Sequence, residues 1–215
     1  MSLAVTLSRA KALAPDKQRG LAAIVGAVVA DAAAVPCHWQ YDASKIAAAF
    51  PGDASPAFAS ELLNPFYRVA AGRNSCYGDQ LRCVVRAMAT RQSLGAVFRE
   101  RFAAADYEAT AAERRRREAY KDDQRAPPGP VDGPWRHGTI DAFLKGDVTE
   151  TDASADALVR AIPVAAAYAG EEDLLARVDG VATLTQLDAG ARSHAAAVAL
   201  AVSALVSGAA ASPRE

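Results

Sequence analysis

Cysteine is scarce and odd in number: Cys37, Cys76 and Cys83 are the only three in 215 residues. That count, in a chain without a charged, apolar and cleavable leader, speaks against the disulfide framework of a small secreted domain and fits a reducing, cytoplasmic setting. An excess of one charge is lacking too. With 24 Lys and Arg against 25 Asp and Glu, the formal net charge is −1, so no global basic field draws the chain to nucleic acid or acidic lipid. Runs apolar enough to span a bilayer are missing as well. Residues 21–35 are cut by Asp31, and residues 195–211 are mostly alanine with Ser203, Ser207 and Gly208 among them, short of the roughly 18 to 20 strongly apolar residues a span requires. Both read as buried bundle helices. A phosphate loop, a dinucleotide fingerprint, an HExxH and a paired CxxC are all absent, as are strand-type alternation and any fixed-period repeat. The start of the chain has Arg9 and Lys11 and no acid before Asp16, only a faint trace of an organelle-transit pattern.

What the chain does have is alanine, about a quarter of all residues, the best helix former and one small enough to let helices approach closely. The expected fold is all-α, a single compact multi-helix bundle over residues 20–211 between tails at 1–19 and 212–215. Helices are predicted at residues 18–34, stopped before Pro36, and at 42–50, capped by Asp42 or Ser44 and ended by Pro51. Residues 51–76 read as irregular chain with one turn near 59–63. Residues 77–90 place Leu81, Val84, Val85 and Met88 on one face of a core helix. One broken or two consecutive helices follow over 94–120, closing on Arg114 to Arg117 flanked by Glu113 and Glu118. Without interleaved aromatics this run reads as a solvated face rather than a nucleic-acid patch. A second Pro- and Gly-rich connection at 126–138 leads to helices at 139–145, 154–168, 171–187 and 189–206.

Two acids stand where a core should be dry. Asp31 interrupts an apolar run and Asp79 opens the 77–90 helix. A buried carboxylate must be paired, ligate a cation or face water; a helix cap or a salt bridge answers equally well for Asp31, and the helix dipole for Asp79.

Four strings, GAVVADAAAVPCHWQYD (26–42), NPFYRVAAGRNSCYGDQ (64–80), DGPWRHGTIDAFLK (132–145) and DASADALVRAIPVAAAY (152–168), resemble ADP-ribosylglycohydrolases, most closely the J-crystallin branch. TLTQLDAGARSHAAAVAL (183–200) adds the family's Thr-Gln or Thr-His segment. The resemblance implies an all-α bundle whose centre holds two divalent cations, magnesium or else manganese, that help hydrolyse the bond linking ADP-ribose to an acceptor. Hard cations of this kind take oxygen ligands. It also implies departures. A Thr-Asp-Asp-Thr half-site matches Gly78-Asp79-Gln80-Leu81, keeping only Asp79, and a Gly-Asp-x-x-Gly segment matches residues 30–34, keeping Asp31 without its glycines. His38 is the position nearest a catalytic glutamate. The second, C-terminal metal motif is not found, so the bundle is expected to be incomplete at that end.

On this reading Asp31, Asp79 and His38 are the candidate catalytic residues, and Asp31 and Asp79 the candidate metal ligands. Tyr77, Trp135, Arg136, His137 and Arg160 are candidate substrate contacts, Trp135 and Arg136 by gripping an adenine or a diphosphate. Packing is an equal reading of His38, Trp39 and the 135–137 loop. The expected partner is ADP-ribose or an ADP-ribosylated substrate, with no nucleic acid and no membrane. The expected activity is weak or lost, the alternative being a crystallin-like structural or nucleotide-binding protein.

Overall fold

A computed structural model describes residues 3–50, 62–119 and 129–210. Ten helices run in order: α1 Leu3–Lys11, α2 Pro15–Ala34, α3 Ala43–Ala49, α4 Cys76–Thr90, α5 Leu94–Phe102, α6 Ala105–Ala119, α7 Gly138–Lys145, α8 Asp156–Ala167, α9 Leu174–Ala182 and α10 Ala189–Ser207. The all-α expectation holds. Helix α2 starts at Pro15, earlier than expected, because proline suits the first helical turn. Residues 3–11 are helical, where a tail was read. Asp42 caps α3, its side chain accepting from the Ser44 amide. Helix α9 ends at Ala182, short of 187, because Thr149 pairs with Gln186 across an isolated bridge and pulls the chain out of helix.

One pair of strands was not foreseen. β1 (Tyr67–Arg68) and β2 (Val131–Asp132) pair in parallel, Tyr67 opposite Val131. Two-residue strands are too short for alternation to register in sequence, and they join the two proline-rich connections. Val35, Tyr67, Val69 and Val131 pack there as a small core. The turn expected at 59–63 lies mostly outside the described residues.

Helix α8 is the central post, packed against α2, α4, α9 and α10. Its Ala157, Ala161 and Ala165 meet Ala191, Ala195 and Ala199 of α10, all fully buried or nearly so, with Leu174, Val178 and Ala182 of α9 closing the layer. Alanine at every fourth position makes a smooth strip that brings two backbones close. An aromatic core of Phe98, Phe102, Tyr107, Ile140 and Phe143 sits on the other side of α4.

Helices α2 and α10 correct one expectation. They were read as buried, yet only 22% and 28% of their most apolar windows is buried, and Leu21, Val25, Val29 and Leu200 are exposed. Each gives its small residues to α8 and turns its larger ones outward. Both are long and apolar enough to cross a membrane by length and composition.

Two glycines of α2 give opposite predictions. A Cβ at Gly20 would lie 2.7 Å from the Ala166 carbonyl oxygen, whereas one at Gly26 would meet nothing within 4 Å. Overpacking costs about 1–3 kcal/mol, more than the roughly 1 kcal/mol that alanine gains over glycine in a helix. Urea unfolding should therefore show Gly20→Ala destabilised and Gly26→Ala stabilised by up to about 1 kcal/mol.

Candidate active centre at the start of helix α4

Ser75 caps α4 and ties it to α2. Its hydroxyl accepts from the Tyr77 amide at 3.1 Å and donates to Asp31 at 2.5 Å, and its own amide donates to Asp31 at 2.9 Å. Asn74 adds a bond to Asp31 at 2.9 Å and one to the Val28 carbonyl at 2.8 Å. Asp31 thus has three donors from the α4 cap. The backbone approach is close enough that a Cβ at Gly78 would fall 2.1 Å from the Asp31 carboxylate. Gly78, where the resemblance had a lost metal-site residue, is the opening through which Asp31 reaches the cap.

Asp79 points to other partners. It is 3% exposed and accepts from Arg101 at 2.7 and 3.1 Å and from the Tyr107 hydroxyl at 2.9 Å, with Arg82 at 3.5 Å. Arg101 lies 4.6 Å over the Tyr107 ring and also holds Asp106. Burial acts against the Asp106 charge, but bonds from Arg101 and Arg73 bring its carboxyl down to about 2. Asp31 and Asp79 share no hydrogen-bond partner.

The third acid, Asp156, was not foreseen as a site residue. It is fully buried and accepts from His137 Nδ1 at 2.7 Å, Thr139 at 2.8 Å, Ser154 at 3.0 Å and the Gln80 amide. Gln80 passes the link on through its oxygen, which accepts from Arg160. Arg160 also donates to the Val181 and Ala182 carbonyls and to Gln186. Burial lowers the Arg160 guanidinium to about 10, against the pull of Asp156. Burial likewise opposes the Asp156 charge, but His137 and Arg160 hold its carboxyl well below the usual range. His137 moves the other way: burial is outweighed by the nearby Cys76 sulfur and the Asp156 carboxylate, which raise it. Its Nε2 is buried without a partner among the described residues.

That free nitrogen belongs to an aromatic nest. The His137 ring lies 4.3 Å from Tyr77 and 5.9 Å from Trp39, and His38 lies 5.5 Å from Tyr77. His38 Nδ1 bonds the Tyr67 hydroxyl at 2.8 Å. Burial and the His137 charge lower His38 to about 4, and burial raises Tyr77 to about 12. Trp39 takes a left-handed φ of 57°, a costly conformation for a bulky residue and one held by its packing on Phe66 and Trp135.

The structure thus brings His38, Tyr77 and His137 together and separates the rest. Trp135 reaches the nest through Trp39, 5.5 Å away, and Arg136 has its partners elsewhere. Arg136, 5% exposed, is taken up by Glu108, Asp141 and the Phe102 carbonyl. Arg160 is a pin inside the bundle, with 0% exposure. Sequence reading also missed Gln80, Arg101, Tyr107, Thr139 and Ser154. The distances of 22 and 80 residues that separate Arg101 from Asp79 and Arg160 from Gln80 leave no local spacing to find them by.

The residues do not fit a two-cation centre. Among the described residues no three His, Cys, Asp or Glu side chains gather where an ion could sit, and a permanent guanidinium already occupies the face of Asp79.

Two measurements follow. Asp156→Asn leaves Arg160 and His137 without their buried counter-charge and should cost about 3–5 kcal/mol in denaturant unfolding. For His38 the sign is opposite to a stabilising ion pair. The unfolded chain takes up its proton near about 6.5 and the folded one near 4, so this group makes stability fall as pH drops through that window. His38→Asn should flatten the slope of stability against pH there.

The family model for ADP-ribosylglycohydrolases matches residues 13–215. Crystallin J1A and Crystallin J1B of Tripedalia cystophora are each 33% identical over 181 residues, which is 79% of this chain and 52% of theirs. The chain therefore spans about half the length of the curated relatives it matches. No solved structure gives a significant match. Taken with the helical bundle and the α4 centre, the match over residues 13–215 places the chain in the ADP-ribosylglycohydrolase family.

Proposed function

We propose that this chain is an ADP-ribosylglycohydrolase-like protein that binds ADP-ribose, or an ADP-ribosylated group, at the start of α4 and hydrolyses it weakly or not at all. The ligand class is supported by the family match. The observation that carries the weak turnover is the Arg101 guanidinium bound to Asp79 at 2.7 Å. The family is generally metal-dependent, and here its retained acid is engaged by the protein's own cation. A second cation would meet that charge directly. Asp31, for its part, is spent on the α4 cap.

What remains free at the centre is a donor. His137, kept protonated by Asp156, offers Nε2 beside the Tyr77 ring. It can donate to an oxygen of a sugar or a phosphate, and Tyr77 and Trp39 supply apolar walls for such a group. The three thiols are unpaired, and burial lifts Cys83 to about 12, which supports inert thiols in a reducing, cytoplasmic setting. The crystallin relatives favour a second reading, that of a structural protein with no ligand.

A thermal-shift titration with ADP-ribose, magnesium and manganese, separately and together, tests the reading. A ligand at a hundredfold excess over Kd adds about 2.7 kcal/mol, and each kcal/mol moves Tm by roughly 2–4 °C in a domain of this size. ADP-ribose should raise Tm by about 5–10 °C, neither metal should do so alone, and His137→Ala should abolish the shift. No shift from a folded protein leaves the structural reading. Metal-dependent release of ADP-ribose from a modified arginine or serine, at a rate unchanged by Asp79→Ala, would remove Asp79 from any mechanism.

A further inference from the structure

We infer that the hollow between α6, α7 and the segment at 129–136 is a second binding site, one for an aromatic organic phosphate such as a nucleoside diphosphate. The cavity measures about 800 Å³, inside the range of about 300–1,000 Å³ typical of small-molecule sites. It meets the α4 centre where its Phe66 and Trp135 pack on Trp39; His137, Tyr77 and Trp39 do not line it, so this inference stands apart from the reading given above.

Charge decides what the hollow accepts. Three acids line it, Glu108, Glu118 and Asp141, and Glu108 and Asp141 are both engaged by Arg136. Three cations that line it have no carboxylate within ion-pair distance among the described residues. Arg114 donates to the Arg136 carbonyl and lies 3.7 Å over the Trp135 ring, while Arg115 and Lys145 carry no hydrogen bond or ion pair. The arginine run was read as a solvated face. It divides: Arg116 and Arg117 are braced by Glu113, as that reading expects, and Arg114, Arg115 and Arg117 line the hollow.

The rest of the wall is apolar and partly flat. Phe66, 44% exposed, and Leu144 stand beside Trp135. An aromatic surface next to uncompensated guanidinium and ammonium groups suits a ring that carries phosphates, through stacking and charge-assisted hydrogen bonds. The cations are fixed to two helices, α6 and α7. The site is therefore built on rigid elements.

Calorimetric titration of the full chain with ADP, with adenosine and pyrophosphate as separate arms, tests this. The variants are R115E/K145E, checked for folding by circular dichroism, and His137→Ala at the α4 centre. A component of ADP binding should weaken at least tenfold in R115E/K145E, persist in His137→Ala, fall with added salt and exceed the binding of either arm. Absence of ADP binding, or binding equal in R115E/K145E and the parent, overturns the site. Adenosine as tight as ADP removes the role of the cations, and pyrophosphate as tight as ADP removes that of the aromatic wall. Loss in His137→Ala alone moves the ligand to the α4 centre.

Discussion

A buried carboxylate facing a buried guanidinium through one glutamine holds this molecule in register. Asp156, Gln80 and Arg160 are each 0% exposed, and together they join α4, α8, the end of α9 and, through His137 and Thr139, the start of α7. Such a group adds little net stability over a hydrophobic equivalent, because desolvation cancels most of the attraction. Its effect is on arrangement. Any shift of α4 along α8 strands a charge in the core, so the helices have one permitted alignment. The alanine strips cannot supply that themselves, since a smooth face slides at little cost.

The same network bears on chemistry. Asp156 holds His137 by Nδ1, and Nε2 has no hydrogen-bond partner among the described residues. A histidine so oriented is a fixed donor, and the nearby His38 stays neutral because burial and the His137 charge both work against a second proton there. The two rings are therefore pushed in opposite directions, His137 toward holding a proton and His38 toward losing it. Asp31 staples α4 to α2, and Asp79 anchors α5 and α6 through Arg101 and Tyr107.

Gly78 and Gln80, either side of Asp79, each have a physical reason. Gly78 makes room for the Asp31 carboxylate, and any side chain there would displace it. Gln80 supplies a donor to Asp156 and an acceptor to Arg160 at once, which no carboxylate can do without a bound proton. Gln80 thus forms a neutral bridge within the protein.

The sequence by itself determined the helical class, most helix positions, the Asp42 cap, the family and the presence of acids at the start of α4, because propensity, capping and periodicity act over a few residues. It also placed His38, Tyr77 and His137 among the residues that matter. Only the tertiary structure decided what each acid does. Asp31, Asp79 and Asp156 look alike in sequence, and each takes its role from partners 22 to 76 residues away or on another helix. Arg136 and His137 are neighbours in the chain yet serve opposite faces of one loop. Exposure of α2 and α10 was likewise invisible in the sequence, since an apolar helix carries the same composition whether or not a neighbour covers it.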